Sequence, residues 1–407
     1  AAQASLPALT RSAASLGRAG RWEAVLSLAA SLRRGGLEPD AVFCGAAVAA
    51  CGRGGRWRWA LELLCEVQNL CLELNVIICG AGLSACEQGQ AWQAALALLG
   101  ALQLKGILPS LIACSAAASA CEKAGQWQLA SRLLFESRMQ GHEPDAVIYG
   151  AVISACGKAG RWEAALAFLA EAQRHGNGLQ LSLVLFNAAI SACEKGRQWQ
   201  LALELLSDVQ RRDLIPDLIT YSAAISACEK GGRWELGLTL LDEIRQNDLQ
   251  PGMIAYNAVV SACKECPHWH LALGLVTSAQ QSWLEPTAVT CSAAVSACES
   301  AKHWELPLGL LHEVRRRGLQ VDVVACSAGI STCEKGLQWE SALTALREAQ
   351  HRGLPPDEIA YNAAISAVEK GLRWMLALEL LAEIWEQGLL PGVITHSAAI
   401  SACEKGQ

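Results

Sequence analysis

Tryptophan recurs along this chain at a nearly constant interval, and that interval restricts the folds that the chain can adopt. The spacing is 35 residues in every step but one, where it is 37, and the two extra residues fall in the glycine-rich stretch 174–182. The tryptophans are Trp22, Trp57, Trp92, Trp127, Trp162, Trp199, Trp234, Trp269, Trp304, Trp339 and Trp374. A fixed period of this length indicates stacked repeats, each of which buries its apolar face against its neighbours.

The tryptophan interval divides the chain into eleven repeats and a partial twelfth, which form one continuous domain. The predicted repeats are 6–40, 41–75, 76–110, 111–145, 146–182, 183–217, 218–252, 253–287, 288–322, 323–357, 358–392 and the partial repeat 393–407. The chain starts at Ala1 and stops inside the twelfth repeat, so we expect a fragment or a processed form of a longer protein.

The seventh repeat, residues 218–252, shows the pattern within one unit. Residues 218–230 are compatible with a helix that ends at Gly231 and Gly232, where glycine can adopt the left-handed conformation. A second, amphipathic helix follows, because apolar residues recur at spacings of four, three and three: Trp234, Leu238, Leu241 and Ile244.

Proline then blocks further helix at the penultimate position of eight of the eleven repeats. These are Pro39, Pro109, Pro144, Pro216, Pro251, Pro286, Pro356 and Pro391. The sequence therefore predicts an all-α fold: a right-handed α-solenoid of about eleven helix-turn-helix repeats plus a partial twelfth.

Composition supports a folded chain and excludes several classes of protein. Hydrophobic residues make up 52% of the 407 residues, and no apolar run is long enough for a membrane span. The net charge of −6 argues against polyanion binding through the whole surface, so a nucleic-acid site must be a local basic stripe. Eighteen cysteines in a long, apolar chain favour reduced, intracellular thiols over a disulfide framework.

The first helix of each repeat has one face that is predicted to form the core. At about 100° per residue, repeat positions 4, 8 and 11 share this face, and in the seventh repeat they are Tyr221, Ile225 and Cys228. We expect the cysteines at position 11 to act as small hydrophobic residues. We also expect the tryptophan at position 17 to pack at the corner of the hairpin.

A second arc of the same helix holds positions 2, 5, 9 and 13, and its composition is different. Position 2 is Val or Ile in ten of the eleven repeats, and position 5 is always small or polar. Position 9 is Ser in nine repeats, and position 13 is Lys or Arg in eight. The arc is therefore predicted to carry an apolar row, a variable polar row, a small row and a basic row.

The motifs of the repeat resemble those of the pentatricopeptide repeat family. The 35-residue hairpin, the "ITYS" or "IAYN" opening, the "EKG" end of the first helix and the closing "G-L-x-P-D" all fit that family, and the resemblance covers residues 6–407. The tetratricopeptide repeat is the nearest alternative, but its period is about 34 residues and its tryptophan pattern differs.

The resemblance implies a protein that binds single-stranded RNA, one base per repeat, with the amino-terminal repeat towards the 5′ end. Position 2 of neighbouring repeats would hold each base between apolar side chains: Val42, Ile77, Ile112, Val147, Val184, Ile219, Ile254, Val289, Val324, Ile359 and Ile394. Position 13 would approach the phosphates: Arg18, Arg53, Lys123, Lys158, Lys195, Lys230, Lys335 and Lys370.

Position 5 and the last residue of each repeat would bind the Watson–Crick edge of the base. The residues implied are Thr10, Asp40, Asn75, Ser115, Asp145, Asn187, Asp217, Ser222, Asn257, Thr287, Ser292, Asp322, Ser327, Asp357 and Asn362. An Asp carboxylate only accepts hydrogen bonds, which suits the N–H donors of G or U. Interpreted as in the family, the pairs give 5′-G-n-n-G-n-U-n-Y-G-G-Y-3′. Five repeats lack at least one of the two side chains, so we expect degenerate specificity.

No constellation of catalytic residues emerges, and we expect neither an enzyme nor a cofactor. One segment, "CKECPHWH", has the spacing of metal ligands at Cys263, Cys266, His268 and His270. Cys263 is an ordinary position-11 cysteine, however, so we predict no metal site.

The resemblance also implies where the protein acts and what it binds. It implies a chloroplast or mitochondrial protein that acts in RNA processing, stability, editing or translation, as a monomer, with single-stranded RNA as its partner and without a membrane. The alternative is a scaffold that binds protein partners in the same groove, because the net charge is acidic and the groove is rich in glycine.

Overall fold

A computed structural model describes residues 6–34, 40–69, 76–106, 108–174, 182–265, 269–298, 305–316 and 323–406. These residues form α-helices, one short 3-10 helix and turns, and the described residues contain no β-strand. The chain divides into two compact units, Ala1–Ile215 and Pro216–Gln407.

The described residues of the first unit form six helical hairpins. Their first helices are α1 (Leu6–Arg18), α3 (Ala41–Arg53), α5 (Val76–Gln88), α7 (Leu111–Lys123), α9 (Ala146–Lys158) and α11 (Leu183–Lys195). Their second helices are α2 (Trp22–Arg34), α4 (Trp57–Asn69), α6 (Trp92–Leu104), α8 (Trp127–Met139), α10 (Trp162–Arg174) and α12 (Trp199–Arg211).

The second unit continues the same pattern. Its first helices are α13 (Leu218–Lys230), α15 (Met253–Ala262, followed by a 3-10 turn at Cys263–Glu265), α17 (Ala288–Cys298), α19 (Val323–Lys335), α21 (Glu358–Lys370) and α23 (Val393–Lys405). Its second helices are α14 (Trp234–Gln246), α16 (Trp269–Gln281), α18 (Glu305–Arg316), α20 (Trp339–His351) and α22 (Trp374–Glu386).

Within each unit, the hairpins stack in chain order. Each first helix contacts the first helix of the next repeat, and each second helix contacts its own first helix and the first helix that follows it. This is the neighbour-only packing of an α-solenoid, and it confirms the predicted fold class. Every first helix starts at the first residue of its predicted repeat. In the described residues, no helix has both the length and the apolar character that a membrane span requires.

The predicted core positions are buried in the sixth and seventh repeats. Phe186, Ile190 and Cys193 in α11 and Tyr221 and Ile225 in α13 are all fully inaccessible to solvent. The buried tyrosine rings at position 4 keep a hydrogen-bonding partner for their hydroxyl groups, as buried tyrosines require. In the second unit, the hydroxyl of Tyr256 accepts from Arg245 at 2.9 Å, and that of Tyr361 accepts from Gln350 at 2.9 Å.

The cysteines at position 11 behave as packing residues. Eight of them, Cys51, Cys86, Cys121, Cys156, Cys193, Cys228, Cys298 and Cys333, are fully buried. Burial raises the pKa of each of these thiols to about 11. They are therefore neutral thiols at physiological pH, and Val368 occupies the same buried position in the eleventh repeat.

Tryptophan begins the second helix of ten repeats, as predicted, and Trp304 of the ninth repeat lies outside the described residues. The tryptophan ring also extends to the next repeat. The ring of Trp162 packs on Gly196, at the end of the next first helix, and a Cβ on Gly196 would lie only 2.4 Å from Cδ1 of that ring. Gly371 and Trp339 repeat this geometry. Tryptophan therefore joins consecutive repeats, a contact that the sequence analysis did not predict.

In the turn between the two helices of the sixth and seventh repeats, the left-handed residue is the one after the glycine that ends the first helix. Gly196 caps α11 with a φ of −77°, which any residue can adopt, and the left-handed residue is Arg197, with a φ of 56°. In the seventh repeat the left-handed residue is Gly232, with a φ of 65°, as predicted, whereas Gly231 has a φ of −91°. The glycine of the "EKG" motif at Gly196 therefore makes room for tryptophan, and the next residue makes the turn.

Candidate nucleic-acid interface

A row of large apolar side chains is exposed on the first helices. The position-2 residues that are exposed are Val42 (70%), Ile112 (73%), Val147 (57%), Val184 (66%), Ile219 (66%), Ile254 (71%), Val289 (63%), Val324 (59%), Ile359 (62%) and Ile394 (69%). The side chain of Ile77 lies outside the described residues. The residue that follows each of them, at position 3, is 0–1% exposed, so in each unit the row is a separate surface and not an edge of the core.

The last residue of a repeat has a structural role that the sequence analysis missed. It is the N-cap of the next first helix, so its side chain accepts a hydrogen bond from a backbone N–H that has no partner within the helix. Asp40, Asp145, Asp217 and Asp357 each accept such a bond at 2.8 to 3.0 Å.

The capping bond occupies only part of the hydrogen-bond acceptor capacity of a carboxylate. One oxygen accepts the bond, and a carboxylate has about four acceptor sites, so capacity for a base remains. Asn75 and Asp322, which were predicted to act at the same position, lie outside the described residues. Thr287 also caps its helix, because its hydroxyl accepts from the backbone N–H of Thr290 at 3.3 Å.

The residues at position 5 fall into two groups by exposure. Thr10, Ser115, Asn187, Ser222, Asn257 and Asn362 are half-buried. Ser292 and Ser327 are buried, at 8% and 4% exposure.

The hydroxyl groups of the two buried serines form hydrogen bonds within the protein. Their hydroxyls donate to the carbonyl oxygens of Ala288 and Val323, four residues earlier, at 2.9 and 2.8 Å. A serine hydroxyl is short enough to bond its own helix in this way. Ser327 also lies 2.8 Å from the Asp357 carboxylate, so the two predicted base-binding residues of this repeat are adjacent. The two serines therefore present less polar surface to a base than a serine at position 5 would suggest.

The basic residues at position 13 are exposed, and several belong to an ion-pair ladder. The ammonium group of each bonds the carboxylate at position 12 of the preceding repeat: Lys123 with Glu87 (3.4 Å), Lys158 with Glu122 (3.1 Å), Lys370 with Glu334 (3.1 Å) and Lys405 with Glu369 (2.9 Å). The Glu and Lys of the "EK" motif therefore alternate along the stacked repeats, so the row carries both negative and positive charges.

Arg53 and Lys195 depart from the ladder. Arg53 donates to the backbone carbonyl of Gly17 at 2.9 Å, at the negative end of the preceding helix dipole. Lys195 follows a repeat whose position 12 is Gly157, which carries no carboxylate. Lys195 is therefore the position-13 lysine whose charge is least offset by the ladder, and the sequence signal for this is the "CGK" in place of "CEK" in the fifth repeat.

The last rung of the ladder shows the strength of these contacts. Burial raises the pKa of the Glu369 carboxyl, but hydrogen bonds from Ser401 at 2.6 Å and from Lys405 at 2.9 Å outweigh it, so the net pKa is lowered. The carboxylate is thus the stable form at neutral pH, and it keeps the lysine in place.

The segment with the spacing of metal ligands, for which no metal site is predicted, can be described only in part. Cys263 is buried in the 3-10 turn, whereas Cys266 and His268 lie outside the described residues, and His270 is near the start of α16. Within the described part of the chain, no group of three metal-binding side chains comes together.

Two sequence profiles match the chain. A "Pentatricopeptide repeat domain" profile matches residues 97–159, 168–233 and 344–405, and a "PPR repeat" profile matches residues 147–177 and 219–249. Together they cover residues 97–249 and 344–405, which is more than half of the chain. No curated protein sequence matches the chain.

Solved structures of pentatricopeptide repeat proteins match as well. The crystal structure of PPR10 from maize has a TM-score of 0.60 and 22% identity, and the match covers 99% of this chain but 57% of the maize chain. The chain thus spans less than two thirds of the maize protein. PPR10 in complex with an 18-nt psaJ RNA element matches at a TM-score of 0.45, with the same identity and coverage.

The PPR domain of Arabidopsis thaliana protein-only RNase P 1, in complex with tRNA, matches less well. Its TM-score is 0.41 and its identity is 14%, and the match covers 44% of this chain and 95% of that domain. The likeness to the maize structure supports the solenoid fold.

Proposed function

The chain belongs to the pentatricopeptide repeat family, and we propose that it binds single-stranded RNA along the exposed arc of its first helices, one base per repeat. The RNA would lie with its 5′ end towards the amino-terminal repeat. The maize protein with this fold has been crystallised with an RNA element, and that ligand class is carried to this chain as part of the proposal.

The exposed position-2 row is the observation that carries the proposal. Within the stacked pair α7 and α9, Ile112 is 73% and Val147 is 57% exposed. Burying one such side chain gains about 1.5–3 kcal/mol. A ligand with flat apolar faces that covers a row of these side chains would therefore bind favourably. Nucleobases have such faces, and their spacing along a strand suits one base per repeat.

Polar groups next to the row supply the means to discriminate bases. Position 5 stands beside the N-cap residue of the next helix, as the Ser327–Asp357 contact illustrates. Asp145 keeps acceptor capacity after capping, which favours bases that present N–H donors, as the pairs predict.

The proposed action is occupancy of a single-stranded site and not catalysis. The family implies organellar transcripts as targets, so binding would protect, remodel or block a transcript in a chloroplast or mitochondrion. We propose this setting from the family alone.

Exchange of position-2 residues tests the proposal. Replacing Ile112 and Val147 by Ser removes the two apolar faces around one base, and we expect the affinity for a random single-stranded RNA pool to fall by about fivefold or more. The matched control replaces Leu104 and Met139 by Ser, because these exposed residues (92% and 88%) lie on second helices. RNA binding that is equally affected by both pairs, or unaffected by either, would reject the arc as the interface.

The ion-pair ladder favours a second candidate, a scaffold for protein partners. Because Glu87, Glu122, Glu334 and Glu369 face the position-13 lysines, the row has little excess positive charge, which a peptide tolerates better than a phosphate chain. A protein that fails to bind RNA at low salt but forms a stoichiometric complex with a polypeptide through the position-2 row would establish this function instead.

A further inference from the structure

Asparagine at position 5 and threonine at position 3 occur together in this chain. Position 5 is Asn in three repeats, at Asn187, Asn257 and Asn362. Position 3 is Thr in three places, each 33 residues later: Thr220, Thr290 and Thr395. All other repeats have an apolar residue at position 3, namely Ala8, Phe43, Ile78, Ala113, Ile148, Leu185, Ala255, Ala325 and Ala360. The threonine therefore accompanies the asparagine of the preceding repeat.

Hydrogen bonds in the second unit explain this pairing. The Thr290 hydroxyl donates to Oδ1 of Asn257 at 2.6 Å, and the Thr395 hydroxyl donates to Oδ1 of Asn362 at 2.5 Å. Both threonines are fully buried, whereas both asparagines are half-buried. A buried hydroxyl needs a partner inside the protein, and the asparagine oxygen provides it.

The direction of the bond follows from the partners of the hydroxyl. The Thr395 hydroxyl accepts from the backbone N–H of Gly392 at 3.1 Å, which leaves its own hydrogen to be donated. Gly392 has no side chain to receive that hydrogen, so it goes to Asn362. The Thr290 hydroxyl likewise accepts from the backbone N–H of Thr287 at 3.0 Å, and it also contacts the Thr287 hydroxyl at 3.0 Å and the Met253 sulfur at 3.6 Å.

This bond determines which half of the asparagine amide faces the groove. With Oδ1 held by the threonine, the NH2 group of Asn257 and of Asn362 is the part of the amide left to meet a ligand. Without the threonine, the amide could turn over and present its oxygen. The two orientations select opposite partners, since one donates and the other accepts.

We infer that Thr290 and Thr395 are positioning residues for base selection: each orients the preceding asparagine so that its NH2 group donates to an acceptor on the base edge. The inference rests on the proposed RNA-binding function and deepens it. On a pyrimidine these acceptors are the carbonyl oxygens of uracil or cytosine, or the ring N3 of cytosine, so the orientation is compatible with the pyrimidines predicted for the eighth and eleventh repeats.

The test measures base preference at single nucleotides. RNAs that differ only at the nucleotide opposite the eighth or the eleventh repeat, as pyrimidine or purine, are titrated against wild type, Thr290→Val and Thr395→Val. We expect a roughly two- to tenfold pyrimidine preference in wild type, the range for one net hydrogen bond. We expect no preference at the repeat affected by each valine, and a preserved preference at the other repeat.

Two further variants separate positioning from folding. Thr290→Ser and Thr395→Ser keep the hydroxyl and are expected to keep the preference. Thr332→Val removes another fully buried threonine hydroxyl, which bonds the backbone carbonyl of Gly329 and no asparagine, and it too is expected to keep the preference. Affinity for the purine RNA reports whether each variant still folds and binds.

The outcomes distinguish the two proposals. If wild type prefers a pyrimidine and the valine variants keep that preference, while Asn257→Ala and Asn362→Ala lose it, the positioning role is overturned and RNA binding stands. If wild type binds no RNA, the proposed function is overturned and the positioning role with it.

Discussion

The two faces of α11 carry apolar residues for opposite reasons. Phe186 is fully buried and Val184 is 66% exposed, although they are two residues apart in one helix. At about 100° per residue they point in nearly opposite directions. The buried face is repeated in every stack and determines the fold, whereas the exposed face gains nothing from folding. Hydrophobicity alone does not separate the two, but position in the repeat does.

The largest predicted difference is in stability. Phe186→Ala removes a fully buried ring and is expected to lower the free energy of unfolding by about 3–5 kcal/mol. Val184→Ala, in the same helix, is expected to change it by less than about 0.5 kcal/mol and to weaken RNA binding instead. Urea unfolding followed by circular dichroism measures the first effect, and RNA titration measures the second. Equal losses of stability would abolish the distinction between the faces.

The buried face should also respond to alkaline pH. Burial raises the pKa of Cys193 from 9.0 to about 11, so the folded state holds its proton where the unfolded state has lost it. The stabilisation is complete below pH 9 and is lost as the pH rises towards 11, by about 2 kcal/mol for this thiol. Cys193→Val, which introduces the side chain that Val368 has at the same position, should lose less stability than wild type between pH 9 and 11 in urea titrations. Parallel curves would show that the thiol is not the titrating group.

Contact between repeats should be sensitive to one methyl group. Gly196→Ala places a Cβ against the Trp162 ring, so we expect a loss of about 1 kcal/mol, at the low end for overpacking because Ala124 and Ala159 occupy the same position in other repeats. Gly100→Ala, in an open part of α6, should gain up to about 1 kcal/mol. The shifts in thermal midpoint should have opposite signs, and shifts of the same sign would exclude the tryptophan contact as the reason for glycine.

The smallest expected effect concerns charge on the exposed face. Lys195→Gln should weaken RNA binding and reduce its salt dependence by about one ion equivalent. Lys158→Gln should have a weaker effect, because Glu122 already offsets that charge. Neither should change stability by more than about 1 kcal/mol. Titrations at several salt concentrations would compare them, and an equal effect of both variants would show that the ladder does not modulate phosphate binding.

Local periodicity was sufficient to predict the fold. The interval between tryptophans and the apolar spacing after Trp234 predict the hairpins, and α13 begins and ends where predicted, at Leu218 and Lys230. The exposure of the position-2 row also follows from angular arithmetic, because neighbours along a helix diverge by a fixed rotation. These features depend on one helix and its immediate neighbour.

Contacts between repeats were harder to predict from the sequence. The sequence suggested a left-handed glycine at the end of the first helix, as at Gly231 and Gly232, but in the sixth repeat Arg197 makes the turn and Gly196 accommodates Trp162. Asp217 resembled a base-binding residue only, although it also caps α13. Lys158 resembled a free cation, but its partner Glu122 is 36 residues earlier. Each requires knowledge of which side chains meet across two stacked hairpins.

Direct measurement of RNA binding tests the central claim that the exposed face is an RNA interface. An RNA of the predicted sequence, 5′-G-n-n-G-n-U-n-Y-G-G-Y-3′, and one with purines and pyrimidines exchanged at the specified positions are titrated with the protein at low and moderate salt. We expect the predicted sequence to bind about tenfold more tightly, with affinity that falls as salt rises and falls again in the Ile112→Ser, Val147→Ser variant. Equal affinity for both RNAs, or no binding at low salt, would contradict the account.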